Sequence, residues 1–322
     1  MIMRVAKLWS AGVLLVVGVA ACDAASPGPM GVAEAGASGS GAGEEAPTPV
    51  AGGSVVDAGA AHDADLDADV AAPSPSSGYD VFLLAGQSNM VGRGASFDAA
   101  LDTPHPAIFQ WGRGERDGMI VPAVARLDHN DTALLDRVGM GLSFAKAYYE
   151  ASQPTPRPIL LVPTARGGSS FSAHQWNPGD PLFEDAVLRG NAAMATDPGN
   201  RFVAFLWHQG ENDVGQYDNA TYSQALDAMI GAFRARVAGA SSAPFILGQF
   251  CPDWSPDPAA KASISSAIDA TPQRVPFTSV APSAGLTSNA GDAVHFDAPA
   301  QRTYGARYWQ ALDVARANVP HP

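Results

Sequence analysis

The chain predicts an α/β domain: a mainly parallel, five-stranded sheet held between two layers of helices. Three observations carry that expectation. Short unbroken apolar runs recur through residues 79–317, amphipathic stretches of helical length separate them, and three polar, glycine-containing blocks fall just after a run or just before the last helix. Parallel strands need a crossover of about a dozen residues or more. A strand buried on both faces reads as continuous apolar sequence rather than as an alternation.

Taken in order, residues 80–85 form the first strand and run straight into the corner GQSNM. The span 96–136 holds His105, Trp111 and His129 but is broken by Gly and Pro, and reads as a long irregular connection of the kind that lines sites in α/β enzymes. Residues 142–151 are helical, with Phe144, Ala145, Tyr148 and Tyr149 at the apolar positions. PILLVP at 158–163 is the second strand, 181–195 a helix, and RFVAFLWH at 201–208 the third strand. A long helix at 217–237 carries Ala225, Met229, Ile230 and Phe233 on one face. PFILGQF at 244–250 is the fourth strand, 258–268 a helix, and 274–280 a short fifth strand. The closing helix, 298–317, is entered by Pro299, which suits a first turn because its missing N–H has no partner there anyway.

The first 78 residues are of another kind. Arg4 and Lys7 precede an apolar stretch at 8–19, and small residues then lead to Cys22. The stretch is too short and too early for a spanning helix. It reads as a secretory signal whose end resembles a bacterial lipobox, with Cys22 the lipidated residue. Residues 23–78 are rich in Ala, Gly, Ser, Pro and acids, so little apolar burial offsets their ordering entropy; they read as a flexible stalk. Within the stalk, Asp63, Asp65, Asp67 and Asp69 alternate like a calcium loop but lack its glycine and closing glutamate, and read as a solvated spacer. The expected organisation is a signal at 1–22, a stalk at 23–78 and one domain at 79–322, anchored to a membrane through Cys22 on the extracytoplasmic side, in the periplasm or at the cell surface.

Removing the nine acids and two bases of the first 78 residues from the chain's 32 and 19 leaves 23 acids and 17 bases. A domain of that balance has no basic footprint for nucleic acid. With Cys22 lipidated, Cys251 has no disulfide partner and reads as a small buried residue.

Three blocks carry chemistry. The first is Ser88, where a buried strand meets a turn. A hydroxyl is a poor nucleophile without a base within hydrogen-bond reach. The corner is not a G-x-S-x-G elbow, because Met90 stands at the second glycine, and Ser88 alone reads more often as a helix N-cap than as a nucleophile. The second is WHQGEND at 207–213, whose amides and glycine turn suit a developing oxyanion, or simply a turn. The third is GDAVHF at 291–296. In a helical or tight-turn conformation Asp292 and His295 share a face, so Asp292 can accept from His295 Nδ1–H and leave Nε2 free for a serine proton.

GQSNM, then GEND, then DAVH, in that order, resembles the SGNH hydrolase superfamily. Within it, GQSNM followed by QGEND is similar to the sialate O-acetylesterase-like group, which includes the acetylxylan esterases of carbohydrate esterase family six. RGGSS at 166–170 with Trp176, and VGMG at 138–141, resemble two further segments of the family. The likeness spans 79–317. It implies a three-layer, flavodoxin-like sheet and a serine esterase that removes acetyl groups from a carbohydrate such as xylan or sialate, with no metal or organic cofactor. Carried onto this sequence, Ser88 is the nucleophile, His295 the general base and Asp292 the orienting acid, with Glu211 the competing acid. The Ser88 N–H, an N–H of Gly139 or Gly141, and Asn212 make the oxyanion hole, and Gln209 is a second polar contact. Gln87, Arg166, Gly168 and Trp176 are the candidate substrate contacts, although Gln87 and Asn89 also read as scaffold tying the turn to its neighbours. Two other readings share the fold: a non-catalytic carbohydrate-binding lipoprotein, and an esterase or lipase for short acyl chains.

Overall fold

A computed structural model of the chain describes residues 78–131 and 136–319. The signal, Cys22, the stalk and its alternating acids lie outside the described residues. Seven strands form the main sheet: β1 (Asp80–Gly86), β2 (Ile108–Trp111), β3 (Ile120–Pro122), β4 (Ile159–Pro163), β5 (Arg201–His208), β6 (Phe245–Gly248) and β7 (Thr278–Ala281). Their order is β3-β2-β4-β1-β5-β6-β7, and every neighbouring pair is parallel except β2 with β3. The helices are α1 (Ser88–Val91), α2 (Met140–Ala151), α3 (Pro181–Met194), α4 (Asn219–Arg236), α5 (Pro258–Asp269), α6 (Thr271–Arg274) and α7 (Ala298–Ala317). A separate hairpin, β8 (Ser288–Asn289) with β9 (Asp292–Phe296), precedes α7.

Every residue of β1 is buried. Side chains alternate across a strand, so Val81, Leu83 and Ala85 enter one core while Phe82 and Leu84 enter the other. The first core packs Phe183, Tyr222, Phe233 and Ile264 of α3, α4 and α5; the second packs Phe144, Tyr148, Tyr304 and Tyr308 of α2 and α7. At the N-terminal rim, Asp80 accepts hydrogen bonds from Arg157, Arg201 and the Tyr148 hydroxyl, tying the starts of β4, β1 and β5 together.

The five strands expected from the sequence take the order β4-β1-β5-β6-β7, the doubly wound order 2-1-3-4-5. Connections leaving β1 and β5 therefore diverge, and a crevice opens at their carboxyl ends.

Three expectations need correction. The sheet has seven strands, because the span 96–136 supplies β2 and β3. These are four and three residues long, and Gly112, Gly114 and Gly118 interrupt the sequence between them. They become strands by pairing at the sheet edge, which their own pattern does not reveal. The last strand starts at Thr278, not at 274, since Thr271–Arg274 is a helical turn with proline in its first positions. Asp292–Phe296 is a strand, not a helical turn.

Candidate active site

The first corner is set by backbone crowding. Gly86 has φ 128°, and a Cβ there would lie 2.1 Å from the His208 carbonyl oxygen of β5, so only glycine allows the two strand ends this approach. The Gln87 N–H then donates to that carbonyl at 2.8 Å, and the chain turns into the single turn of α1. Ser88 opens that turn with 6% exposure.

Ser88 Oγ lies 2.8 Å from His295 Nε2, and His295 Nδ1 lies 2.7 Å from Asp292 Oδ2. A carboxylate only accepts, so Nδ1 carries the proton towards Asp292, and Nε2 is left to accept from the serine hydroxyl. The i,i+3 contact arises on a strand because the hairpin register jumps. Ser288 faces Phe296 while Asn289 faces Asp292, so Ala293, Val294 and His295 are in excess over their partner and the strand curls there.

Glu211 points elsewhere. Its Oε1 accepts from Asn89 Nδ2 at 2.7 Å and contacts His208 Nε2 at 3.1 Å, so Asp292 rather than Glu211 meets His295. Burial pushes the Glu211 carboxyl up. The adjacent His208, the Asn89 amide and its own backbone N–H outweigh that and hold it below the ordinary value.

Asn212 is exposed and donates one amide hydrogen to the Gly168 carbonyl at 2.8 Å, keeping a second. The Ser88 and Gly168 N–H groups have no acceptor among the described residues. Gly139 does not fit the donor role expected for it, because its N–H donates to the Ala125 carbonyl at 3.0 Å. Gly141 serves packing: a Cβ there would lie 2.6 Å from Leu127 and 2.8 Å from Leu84 side-chain carbons.

The other expected contacts divide sharply. Trp176 is fully buried, donates Nε1–H to Ser169 Oγ and packs edge-on against Trp207, so it is core and cannot touch a substrate. Gln87 is buried too; its Oε1 accepts from Gln209 Nε2 and from the N–H groups of Gly210 and Asn212, so it is scaffold. Gln209 is likewise buried and donates to Asp213, which in turn accepts from the N–H groups of Phe171 and Ser172. Cys251 is buried, and burial pushes its thiol up. Arg166 is exposed, and it alone of the described arginine and lysine side chains has no hydrogen bond or ion pair.

Two cavities adjoin the serine corner. One, of about 480 Å3, is lined by Arg93, Ala95, Arg137, Asn289, Asp292 and His295. The other, of about 410 Å3, is lined by Asn130, Asp131, Arg166 and Gly167. The Arg93–Asp131 ion pair at 2.5 Å joins them. Arg93 and Arg137 went unnoticed in the sequence. Their only signal was proximity to the GQSNM and VGMG blocks, and side chains converge on a cavity only through the fold. Among the described residues no cluster of His, Cys, Asp or Glu is placed to hold a metal ion, and no helix is long and apolar enough to cross a membrane.

The model of the family described as carbohydrate esterase, sialic acid-specific acetylesterase, matches residues 78–313. A probable 9-O-acetyl-N-acetylneuraminic acid deacetylase of Escherichia coli is 30% identical over 196 residues, 48% of this chain and 60% of that protein. A probable carbohydrate esterase of Arabidopsis thaliana is 30% identical over 182 residues, 50% of this chain and 65% of that protein. Both alignments thus span less than two thirds of the relative. The crystal structure of NanS superposes with a TM-score of 0.63 at 23% identity, covering 76% of this chain and 99% of NanS. An Arabidopsis thaliana protein gives 0.60 at 24% identity, with 74% and 98% covered. Likeness at that identity speaks to the fold, and the family match takes in every strand of the sheet and most of α7: the chain belongs to the sialic acid-specific acetylesterase family of carbohydrate esterases.

Proposed function

We propose that this chain is a serine esterase that removes O-acetyl groups from a carbohydrate through an acetyl-enzyme. The observation that carries the reading is the continuous chain from Ser88 Oγ to His295 at 2.8 Å and on to Asp292 at 2.7 Å. Ser88 Oγ attacks the acetyl carbonyl while His295 Nε2 takes its proton, and Asp292 holds the imidazole in the tautomer that makes this possible. The tetrahedral oxyanion is met by the Ser88 and Gly168 N–H groups and the second Asn212 amide hydrogen, donors without an acceptor among the described residues. The sugar oxygen leaves with the proton from His295. Water then attacks the acetyl group, His295 takes the water proton, and acetate departs as Ser88 is restored.

The substrate we favour is an acetylated acidic sugar, of the sialate kind, over neutral xylan. Two observations support this. Among the described residues Arg166 has no partner and Arg137 reaches only the exposed Asp136 at 3.6 Å, while both line cavities beside the serine corner. A guanidinium in such a place suits a carboxylate. The Escherichia coli relative, by its name, acts on an acetylated neuraminic acid. We further propose that Cys22 is lipidated and tethers the domain outside the cytoplasm; Cys22→Ala would then move the protein from the membrane to the soluble fraction.

The test is acetate release from an O-acetyl sialoside, acetylated xylan and an aryl acetate. Release from the sialoside at the highest kcat/KM, lost in Ser88→Ala, is expected. Arg166→Ala and Arg137→Ala should each raise KM for the sialoside about 10-fold, as loss of one charged contact does, and leave the aryl acetate unchanged. A folded wild type that releases no acetate from any of the three would sink the esterase reading.

A further inference from the structure

His295 and Asp292 sit on a ribbon of meagre size. β9 pairs only with the two residues of β8, and the Asp292 side chain is 42% exposed. A two-stranded hairpin is marginal in water by itself. Something else must keep His295 Nε2 within 2.8 Å of Ser88 Oγ.

Asn289 contributes, its Nδ2 donating to the carbonyls of Arg93 and His295, and the residue after the serine grips the histidine from the other side of the corner. Asn89 is fully buried, and its carboxamide grips both peptide groups that flank His295: Nδ2 donates to the Val294 carbonyl at 3.1 Å, and Oδ1 accepts from the Phe296 N–H at 3.2 Å. One backbone step thus joins the serine to the clamp, and one step on either side joins the clamp to the histidine. Glu211 dictates the amide's orientation. Its Oε1 accepts a second Asn89 Nδ2 hydrogen at 2.7 Å, and a flipped amide would set oxygen against carboxylate and NH2 against the Phe296 N–H. Gln301 Nε2 donates to the Asn89 carbonyl from α7 at 3.2 Å. The side-chain hydrogen bonds of Asn89 all go to the second and third blocks, and none to its own turn.

We propose that Asn89 is a positioning residue that registers the general base on the nucleophile, and that Glu211 acts through it. The inference rests on Ser88 and His295 being the working pair. It does not depend on which sugar is the substrate, so an aryl acetate is the right probe. Misplacement of the base by a fraction of an ångström slows the chemical step without weakening substrate binding.

The experiment is steady-state hydrolysis of an aryl acetate by the full chain and its variants, well below their melting temperatures. Asn89→Ala should lower kcat about 100-fold with KM within twofold. Glu211→Ala should lower kcat at least about 10-fold, while Glu211→Gln, which keeps an oxygen for Nδ2, should stay within about threefold of wild type. The double variant Asn89→Ala/Glu211→Ala should be no slower than Asn89→Ala alone, because Glu211 has nothing left to act through. Where Asn89→Ala does not fold, Asn89→Asp carries the same test: it keeps the size and the acceptor for Phe296, loses the donor, and should lose kcat with KM unchanged. A folded Asn89 variant with kcat within threefold of wild type, or Asn89 and Glu211 losses that multiply, would overturn the proposal while leaving the serine mechanism intact if Ser88→Ala is dead. A wild type inert towards the aryl acetate would overturn both.

Discussion

Asp80 and Glu211 are two acids with side chains only 2% exposed, at opposite rims of the same sheet. Asp80 opens β1 and is met by two guanidiniums and a tyrosine hydroxyl, so its charge is more than compensated. Glu211 follows β5 and its side-chain partners are one amide and one imidazole, both on Oε1, while Oε2 is buried without a hydrogen-bond partner among the described residues. The N-terminal rim cancels charge to hold three strands together. The C-terminal rim arranges dipoles around Ser88 and leaves groups in reserve. That division follows from topology: strand starts are enclosed, whereas the loops leaving β1 and β5 diverge and open a crevice.

The sharpest test of that contrast is Ser88→Ala, which should cost about 10^4-fold or more in kcat and leave the melting temperature within a few degrees. A large stability loss here would break the division of labour. Asp80→Ala should do the reverse. Leaving the Tyr148 hydroxyl and two partly solvated guanidiniums without their acceptor should lower the unfolding free energy by about 1–3 kcal/mol, with kcat of the folded fraction unchanged, as chemical denaturation and active-site titration would report. Asp292→Asn comes next. The usual orienting-acid penalty is reduced here by exposure, so kcat should fall about 100-fold rather than more, with KM unchanged.

The smallest effect separates the rims by pH. His129 Nδ1 accepts from the Ala165 N–H at 3.0 Å, just before Arg166, and burial pushes its pKa from 6.5 down to about 3. Between these values the unfolded chain binds the proton and the folded one does not, so stability falls as pH falls. From pH 6.5 to 5 this group should cost about 2 kcal/mol. His129→Gln should flatten that limb in denaturant titrations at the two pH values; an unchanged slope would mean that His129 is not held neutral.

Much of the frame was legible in the chain. RFVAFLWH became β5 and 298–317 became α7 at the expected bounds, because one is an unbroken apolar run and the other has its start marked by Asp297, which accepts from the Ala300 N–H, and by Pro299. β2 and β3 were illegible because strands of four and three residues owe their existence to a neighbour's edge. Trp176 sits in a loop rich in Gly and Ser and was a candidate substrate contact, but its ring is closed in by Trp207. Asn89 was legible only as scaffold, since nothing in GQSNM says which distant peptides its amide will grip.

The sequence by itself determined the alternation of strands and helices, the five-strand core of the sheet, and the three blocks that bring Ser88, Asp292 and His295 together. It could do so because apolar periodicity and the chemistry of single side chains are local properties. Only the tertiary structure decided that Asp292 rather than Glu211 meets His295, that the Gly139 N–H is already committed to Ala125, that Arg166 stands unpartnered among the described residues, and that Asn89 joins the serine to the histidine. Those outcomes are competitions among donors and acceptors for one another, and such competitions are settled only when segments some two hundred residues apart are packed into the same few ångströms.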